Sequence, residues 1–321
     1  MTKSNMSVTA TAAGEKKGIT RKAVLVLAAL SVGYLLLSYL LVGFKTDQLV
    51  LVGLVNLLYF LTPITRKFIT GFSIFIVFWI LYDYMKAFPN YWFNPVHIES
   101  LYMAEKAWFG VESGGAILTP NEFWLQHSHP FLDVMSGAFY LTWIPVPIGF
   151  AFFWFFRNRR QFIYFLLTFL LVNLLGFVVY YLYPAAPPWY VQLHGFDFIA
   201  KTPGNTAGLS RFDGFFGITI FNALYAKGSN VFAAMPSLHS AYPLIVLYYA
   251  LRNNLSIAAK VVFGIVTVGI WFAAVYTSHH YVLDVLAGIT CATTGILLFN
   301  WLINQDTALS RAVERLVAAV R

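Results

Sequence analysis

Long apolar runs separated by short polar or charged breaks dominate the chain. Eight can be marked, at about 22–43, 48–62, 68–86, 132–156, 161–183, 237–251, 257–277 and 280–303. A helix needs about 20 apolar residues to cross the hydrocarbon core of a bilayer, and there it satisfies its backbone hydrogen bonds within itself. The second and sixth runs are short for a crossing and are expected to be tilted or half-buried. The pattern predicts an all-α polytopic membrane protein with about eight transmembrane helices. Beyond them, residues 308–320 place Leu309, Ala312, Val313, Leu316 and Val320 on one face, with Arg311 and Arg315 flanking it. That arrangement predicts an amphipathic helix on the inner membrane surface.

Composition agrees. Of 321 residues, 59% are hydrophobic and only 11% charged, whereas a soluble domain carries about 25% charged residues. The net charge of +8 therefore reads as membrane topology rather than as a nucleic-acid footprint. With the N-terminus placed in the cytoplasm, the inner stretches hold 15 of the 21 lysines and arginines but only three of the 13 acids. This bias puts both termini inside and the long segments 87–131 and 184–236 outside. Cys291 is the only cysteine and has no intrachain partner. Residues 1–20 read as a disordered cytoplasmic tail, and with no cleavage site after it the first run is an anchor.

Three polar constellations fall at the outer ends of their runs. In TSHHYVLD (277–284), a helix starting near Ser278 would put His280 and Asp284 one turn apart on one face. A carboxylate on one ring nitrogen fixes the tautomer and leaves the other as base or nucleophile. A buried histidine satisfied by an aspartate, or a transporter's proton relay, fits that pair equally well. In MPSLHSAY (235–242), Ser237 is a candidate N-cap and His239 lies in the first turn, where a helix favours phosphate. Pro243 removes the N–H that would bond the His239 carbonyl. In YPAAPPWY (183–190), prolines end the fifth run and Trp189 and Tyr190 fall at headgroup level, which an aromatic belt alone explains.

Together the three change the reading. A histidine at a helix start, followed two helices later by His-x-x-x-Asp on the same membrane face, is a layout for phosphoryl transfer. The sequence here resembles the type-2 phosphatidic acid phosphatase superfamily, whose blocks run roughly K-x6-R-P, P-S-G-H and S-R-x5-H-x3-D. Pro236-Ser237-Leu238-His239 matches the second block with Leu238 for glycine, and His280 and Asp284 match the third. Ala273 and Ala274 stand where Ser-Arg would be, and YPAAPPWY occupies the place of the first block. YPAAPPWY, PSLHS and HHYVLD together look like the inositol phosphorylceramide synthase branch. The resemblance implies a six-helix catalytic core over 67–303, two additional transmembrane helices over 21–66, and a cytoplasmic amphipathic tail over 304–321.

It also implies roles. His280 would be the nucleophile, Asp284 its orienting carboxylate, and His239 the general acid and then base. Phosphoinositol would move from a phosphatidylinositol-like donor to a ceramide-like acceptor, without metal or diffusible cofactor. His279, about 100° round a helix from His280, reads as a wall residue of the substrate site. The missing cations leave the phosphate to be held by others: Arg211 between glycines is the candidate clamp, with Lys227 second. Ser237, Tyr190 and Asp133 are further substrate-binding candidates, Asp133 toward inositol hydroxyls. The same residues serve a lipid phosphate phosphatase if water resolves the intermediate, and the proton-relay transporter stays as a minor alternative.

Overall fold

The computed structural model describes residues 19–226, 228 and 230–321. The expected tail at 1–20 falls almost wholly outside the described residues, as does Lys227. The chain divides into two compact units, 1–56 and 57–321. In the first, α1 (Arg21–Val42) begins where the Thr20 hydroxyl accepts the Ala23 N–H at 3.2 Å and ends at Gly43, φ +76°. A side-chain hydrogen bond from Asn56 to Ser31 at 3.0 Å ties α1 to α2 (Thr46–Leu61).

The second unit is built from α3 (Pro63–Tyr84), α4 (Glu99–Phe109), a hairpin of β1 (Val111–Ser113) and β2 (Ala116–Leu118), and α5 (Pro120–Gln126). Then follow α6 (Pro130–Leu141), α7 (Pro145–Arg157), α8 (Arg159–Leu182), α9 (Pro188–His194), α10 (Ser210–Phe216) and α11 (Ile220–Ala226). The chain closes with α12 (Leu238–Arg252), α13 (Ile257–Tyr276), α14 (Val282–Ile303) and α15 (Ala308–Val320). The fold is helical, as the pattern predicts; among the described residues the hairpin is the one pair of strands, turned by Gly114 and Gly115 at φ +59° and +81°.

Among the described residues five helices are long and apolar enough to cross a membrane, or six if α6 and α7 form one broken span. The chain is thus an integral, multi-pass membrane protein. The short runs are α2 and α12, at 16 and 15 residues. The run expected at 132–156 is not one helix but two, meeting at 41°. Pro145 has no N–H to give the Leu141 carbonyl, so the helix must restart there.

The central post is α8, which packs against α3, α7, α12 and α14 and buries Phe162, Phe165, Phe169 and Val172. A core of aromatic rings from α3, α7, α8 and α12 fills the space around it. On the other flank, α15 lays Val313, Val317 and Val320 onto α3, α8 and α14. Leu309, expected on that apolar face, is exposed. The helix therefore covers protein core, pinned by Glu314 to Arg160 at 2.7 Å and to the Tyr164 hydroxyl at 2.8 Å.

Two close approaches set the end of the bundle that carries the histidines. The Ser237 backbone N–H donates to the Asp284 carbonyl at 2.9 Å, joining the start of α12 to the first turn of α14. One turn on, a Cβ at Gly288 would collide with the Ser237 carbonyl oxygen, so only glycine lets the two elements lie this close. Replacing Gly288 with alanine forces the backbones apart, and overpacking of this kind costs about 1–3 kcal/mol. We expect Gly288→Ala to lower the thermal unfolding midpoint in detergent well below that of Gly264→Ala, whose Cβ meets nothing within 4 Å; equal midpoints would contradict the contact.

Candidate active site

The histidine pair is displayed by a turn, not by a helix. At the end of α13, Ser278 takes φ +60° and the N–H groups of both His279 and His280 donate to the Ala274 carbonyl, at 3.1 and 3.0 Å. The next helix starts at Val282, with Tyr281 as N-cap. This corrects the expectation that His280 and Asp284 share a helix face: the left-handed residue keeps His280 outside α14. The Asp284 carboxylate comes only to 3.6 Å from His280 Nδ1 and instead accepts the Tyr281 N–H at 2.8 Å.

The nitrogen Nδ1 of His280 lies 3.0 Å from the Ala234 carbonyl. A carbonyl only accepts, so Nδ1 carries the proton and Nε2 keeps its lone pair. That lone pair faces His239 Nδ1 at 3.1 Å, which is therefore the donor of the pair. Burial disfavours a charge on His280 and lowers its pKa to about 4, so the imidazole is neutral at neutral pH. The site thus holds a neutral, oriented nucleophile whose lone pair meets an N–H donor.

YPAAPPWY explains why the Ala234 carbonyl is in place. Ala185 donates to the Phe232 carbonyl at 2.8 Å and accepts from Ala234 N–H at 3.3 Å, while Ala186 donates to His97 at 3.1 Å. Asn90, fully buried, donates to the carbonyls of both Tyr180 and Phe232 at 2.8 Å. The proline-rich stretch is therefore a backbone seam that holds residues 232–234 against His280. The Trp189 N–H also donates to the Ser278 carbonyl at 3.0 Å, fixing the turn from its other side.

His239, His279 and His280 line one cavity of about 160 Å³, walled by rings including Phe78, Trp143, Trp189, Tyr225 and Tyr242. His279 is a wall residue, stacked on Tyr225 at 4.5 Å with Nε2 held by the Thr206 carbonyl at 3.0 Å. Asn205 and Asn230 contribute polar lining, and the buried Asn230 amide nitrogen has no hydrogen-bond partner among the described residues. Among those residues no lysine or arginine lines the cavity, and no group of three His, Cys, Asp or Glu could hold a metal.

The other candidates are not brought to that lining. Arg211, expected to clamp phosphate, pairs with Asp133 at 2.5 Å and lies 5.2 Å from the Tyr276 ring centroid. Asp133, expected toward inositol, also accepts the Tyr276 hydroxyl at 2.8 Å; the two charges neutralise each other beside α6. Tyr190 is buried, its hydroxyl bridging the Asp197 carbonyl and the Ile199 N–H at 2.7 and 2.8 Å. Ser237 is the N-cap of α12, its hydroxyl accepting from Ser240. Lys227 lies outside the described residues.

Two residues near the turn escaped sequence reasoning. Asn121, on α5, donates to the carbonyls of Val275 and His280 at 2.8 and 2.9 Å. Glu105, on α4, takes the N–H groups of Val282 and Leu283 on its two carboxylate oxygens at 2.8 and 3.0 Å. It is a helix cap supplied from 177 positions away, and no spacing rule finds it.

Fold and site together define an integral membrane protein whose paired histidines meet at one end of a helical bundle. The chain belongs to the PAP2 superfamily, whose family model matches residues 115–298. It is 42% identical over 283 residues to a phosphoinositol dihydroceramide synthase of Bacteroides thetaiotaomicron, covering 88% of this chain and 93% of that protein. It is 26% identical over 250 residues to an inositol phosphorylceramide synthase of Candida albicans, covering 73% of this chain and 49% of that protein. Against the Schizosaccharomyces pombe inositol phosphorylceramide synthase catalytic subunit the identity is 25% over 239 residues, covering 72% of this chain and 53% of the other. The chain thus spans about half the length of these two fungal relatives. No solved structure matches it. The resemblance read from PSLHS and HHYVLD is borne out.

Burial raises the Glu105 pKa from 4.5 to about 7, against the pull of its two backbone donors. A carboxyl whose pKa is raised on folding stabilises below its unfolded value and loses that contribution as pH rises through the folded one. We therefore expect the unfolding midpoint of the wild type, relative to Glu105→Gln, to fall between about pH 4.5 and 7. A flat difference would contradict it. Glu105→Ala strands two buried N–H groups, about 1–3 kcal/mol each, and should destabilise far more than the same change at exposed Glu112.

Proposed function

We propose that this protein is a membrane phosphotransferase that moves phosphoinositol from a phosphatidylinositol-like lipid to a ceramide-like alcohol, with His280 as the covalent carrier. The observation that carries the chemistry is the 3.1 Å approach of His239 Nδ1 to a His280 Nε2 whose tautomer the Ala234 carbonyl dictates. The names of the relatives, synthases of phosphoinositol dihydroceramide and inositol phosphorylceramide, supply the substrate class.

The donor's phosphodiester enters between the two rings. Its negative charge favours the imidazolium form of His239. His280 Nε2 attacks phosphorus as the bond to the glycerol oxygen breaks, and His239 Nδ1–H protonates that oxygen, releasing diacylglycerol. His239, now neutral, takes the proton of the ceramide hydroxyl; the resulting oxygen forms the new P–O bond and the P–N bond to His280 breaks. Asp284, 3.6 Å from Nδ1, faces the positive charge that His280 gains as the P–N bond forms and loses as it breaks. A diester carries one negative charge, which suits a cavity lined by rings and carboxamides better than a monoester's two. Transfer to water would give a phosphatase instead, and the aromatic walls work against it by keeping the intermediate dry.

The arginine-rich ends of α7, α8 and α12 lie at the opposite end of these helices from the histidines. This supports the site on the outer, periplasmic or lumenal, face and the C-terminus in the cytoplasm, where the lysine and arginine bias of the sequence also puts the N-terminus.

The test is purified protein in liposomes given inositol-labelled phosphatidylinositol with and without ceramide. Label should pass to ceramide only when ceramide is present. His280→Ala should abolish transfer, and His239→Ala should slow it by about 10²–10⁴-fold. Ceramide-independent release of inositol phosphate would make the protein a hydrolase, and transfer surviving His280→Ala would overturn the covalent route.

A further inference from the structure

A second and larger concavity, about 980 Å³, lies away from the histidines and is lined by α7 and by the α12–α13 turn. It runs from Pro145 to Arg157, the whole length of a helix that rises about 20 Å. Its polarity is graded along that length. Arg157, Asn158, Asn253, Asn254 and Ser256 gather at one end, at the terminus of α7 and the turn between α12 and α13. Val146, Phe150, Phe153 and Phe263 wall the remainder. Gly149 also lines it, and a Cβ there would meet nothing within 4 Å, so the groove is open at its middle.

The polar end carries positive potential from two sources. Arg157 is exposed and has no ion-pair partner among the described residues, unlike Arg160, which is paired with Glu314 at 2.7 Å. Beside it begins α13, a 20-residue helix whose Ser256 cap takes the Ala259 N–H at 3.3 Å and whose positive dipole end favours an anion. A molecule that matches all of this has an anionic head at the membrane surface and a long apolar tail running inward.

We propose that this groove binds one anionic glycerophospholipid, its phosphate on Arg157 and the α13 N-terminus and one acyl chain along Phe150 and Phe153. The site is distinct from the catalytic cavity and sits at the other end of α12, so it does not depend on the reaction assigned above.

The experiment is native mass spectrometry of the full-length, delipidated protein titrated with dioleoyl phosphatidylglycerol or dioleoyl phosphatidylcholine. One phosphatidylglycerol should bind in clear preference to phosphatidylcholine. Arg157→Glu, which reverses the charge, and Gly149→Phe, which fills the open groove, should each weaken that binding about tenfold or more. Arg315→Glu, the same change at an exposed residue on α15, should leave it intact. Equal binding of the two lipids, or a phosphatidylglycerol adduct indifferent to both variants, would overturn the proposal. If either variant fails to fold, the wild-type comparison of the two lipids still decides.

Discussion

Everything at the histidine end of this protein hangs on how closely α12 and α14 approach. The Ser237 N–H on the Asp284 carbonyl, with Gly288 leaving room for the Ser237 oxygen, fixes the first turn of one helix against the first turn of the other. His239 rides on the first of these turns and His280 immediately precedes the second. Their ring nitrogens meet at 3.1 Å because two backbones are bonded to each other, not because either histidine is held by its own helix. Such an arrangement is rigid at a point where phosphoryl transfer demands orientation to within fractions of an ångström.

Around that clasp the polar groups are arranged sparingly. Buried polar atoms beside a membrane are costly unless paired, and most of those near the turn are paired with backbone: Asn90, Asn121 and Glu105 each serve two main-chain groups. They spend their capacity on fixing loops and leave the cavity itself to rings and carboxamides. A cavity without a lining cation among the described residues is a poor host for a dianion and a tolerable one for a singly charged diester. This is the physical sense in which the loss of the superfamily's Ser-Arg block to Ala273 and Ala274 suits headgroup exchange between lipids. Both alanines are fully buried, and the carbonyl of Ala274 serves the histidine turn.

Much of the fold was legible because its signal is local. Apolar runs of sufficient length mark helices whatever surrounds them, and the eight runs correspond to observed helices, the fourth divided at Pro145 by a proline that was itself visible. His239, His279 and His280 were legible as a group through motif spacing. What spacing could not convey was the turn. Ser278 at φ +60° moves His280 off the helix, so the partner of its Nδ1 becomes the Ala234 carbonyl rather than Asp284. Arg211 was singled out by its place between glycines and by the need for a cation, but its partner Asp133 is 78 positions away. Glu105 was hidden for the same reason: long-range pairing leaves no periodic trace.

On the proposed route His280 Nε2 becomes bonded to phosphorus. This is tested most directly by mixing the protein with inositol-labelled phosphatidylinositol in the absence of acceptor, quenching, and mapping the label by peptide mass spectrometry under conditions that preserve phosphoramidates. Phosphoinositol should appear on the peptide carrying His280, be absent in His280→Ala and be discharged on adding ceramide. Label on His239, or full transfer with no protein-bound intermediate at any time, would contradict it.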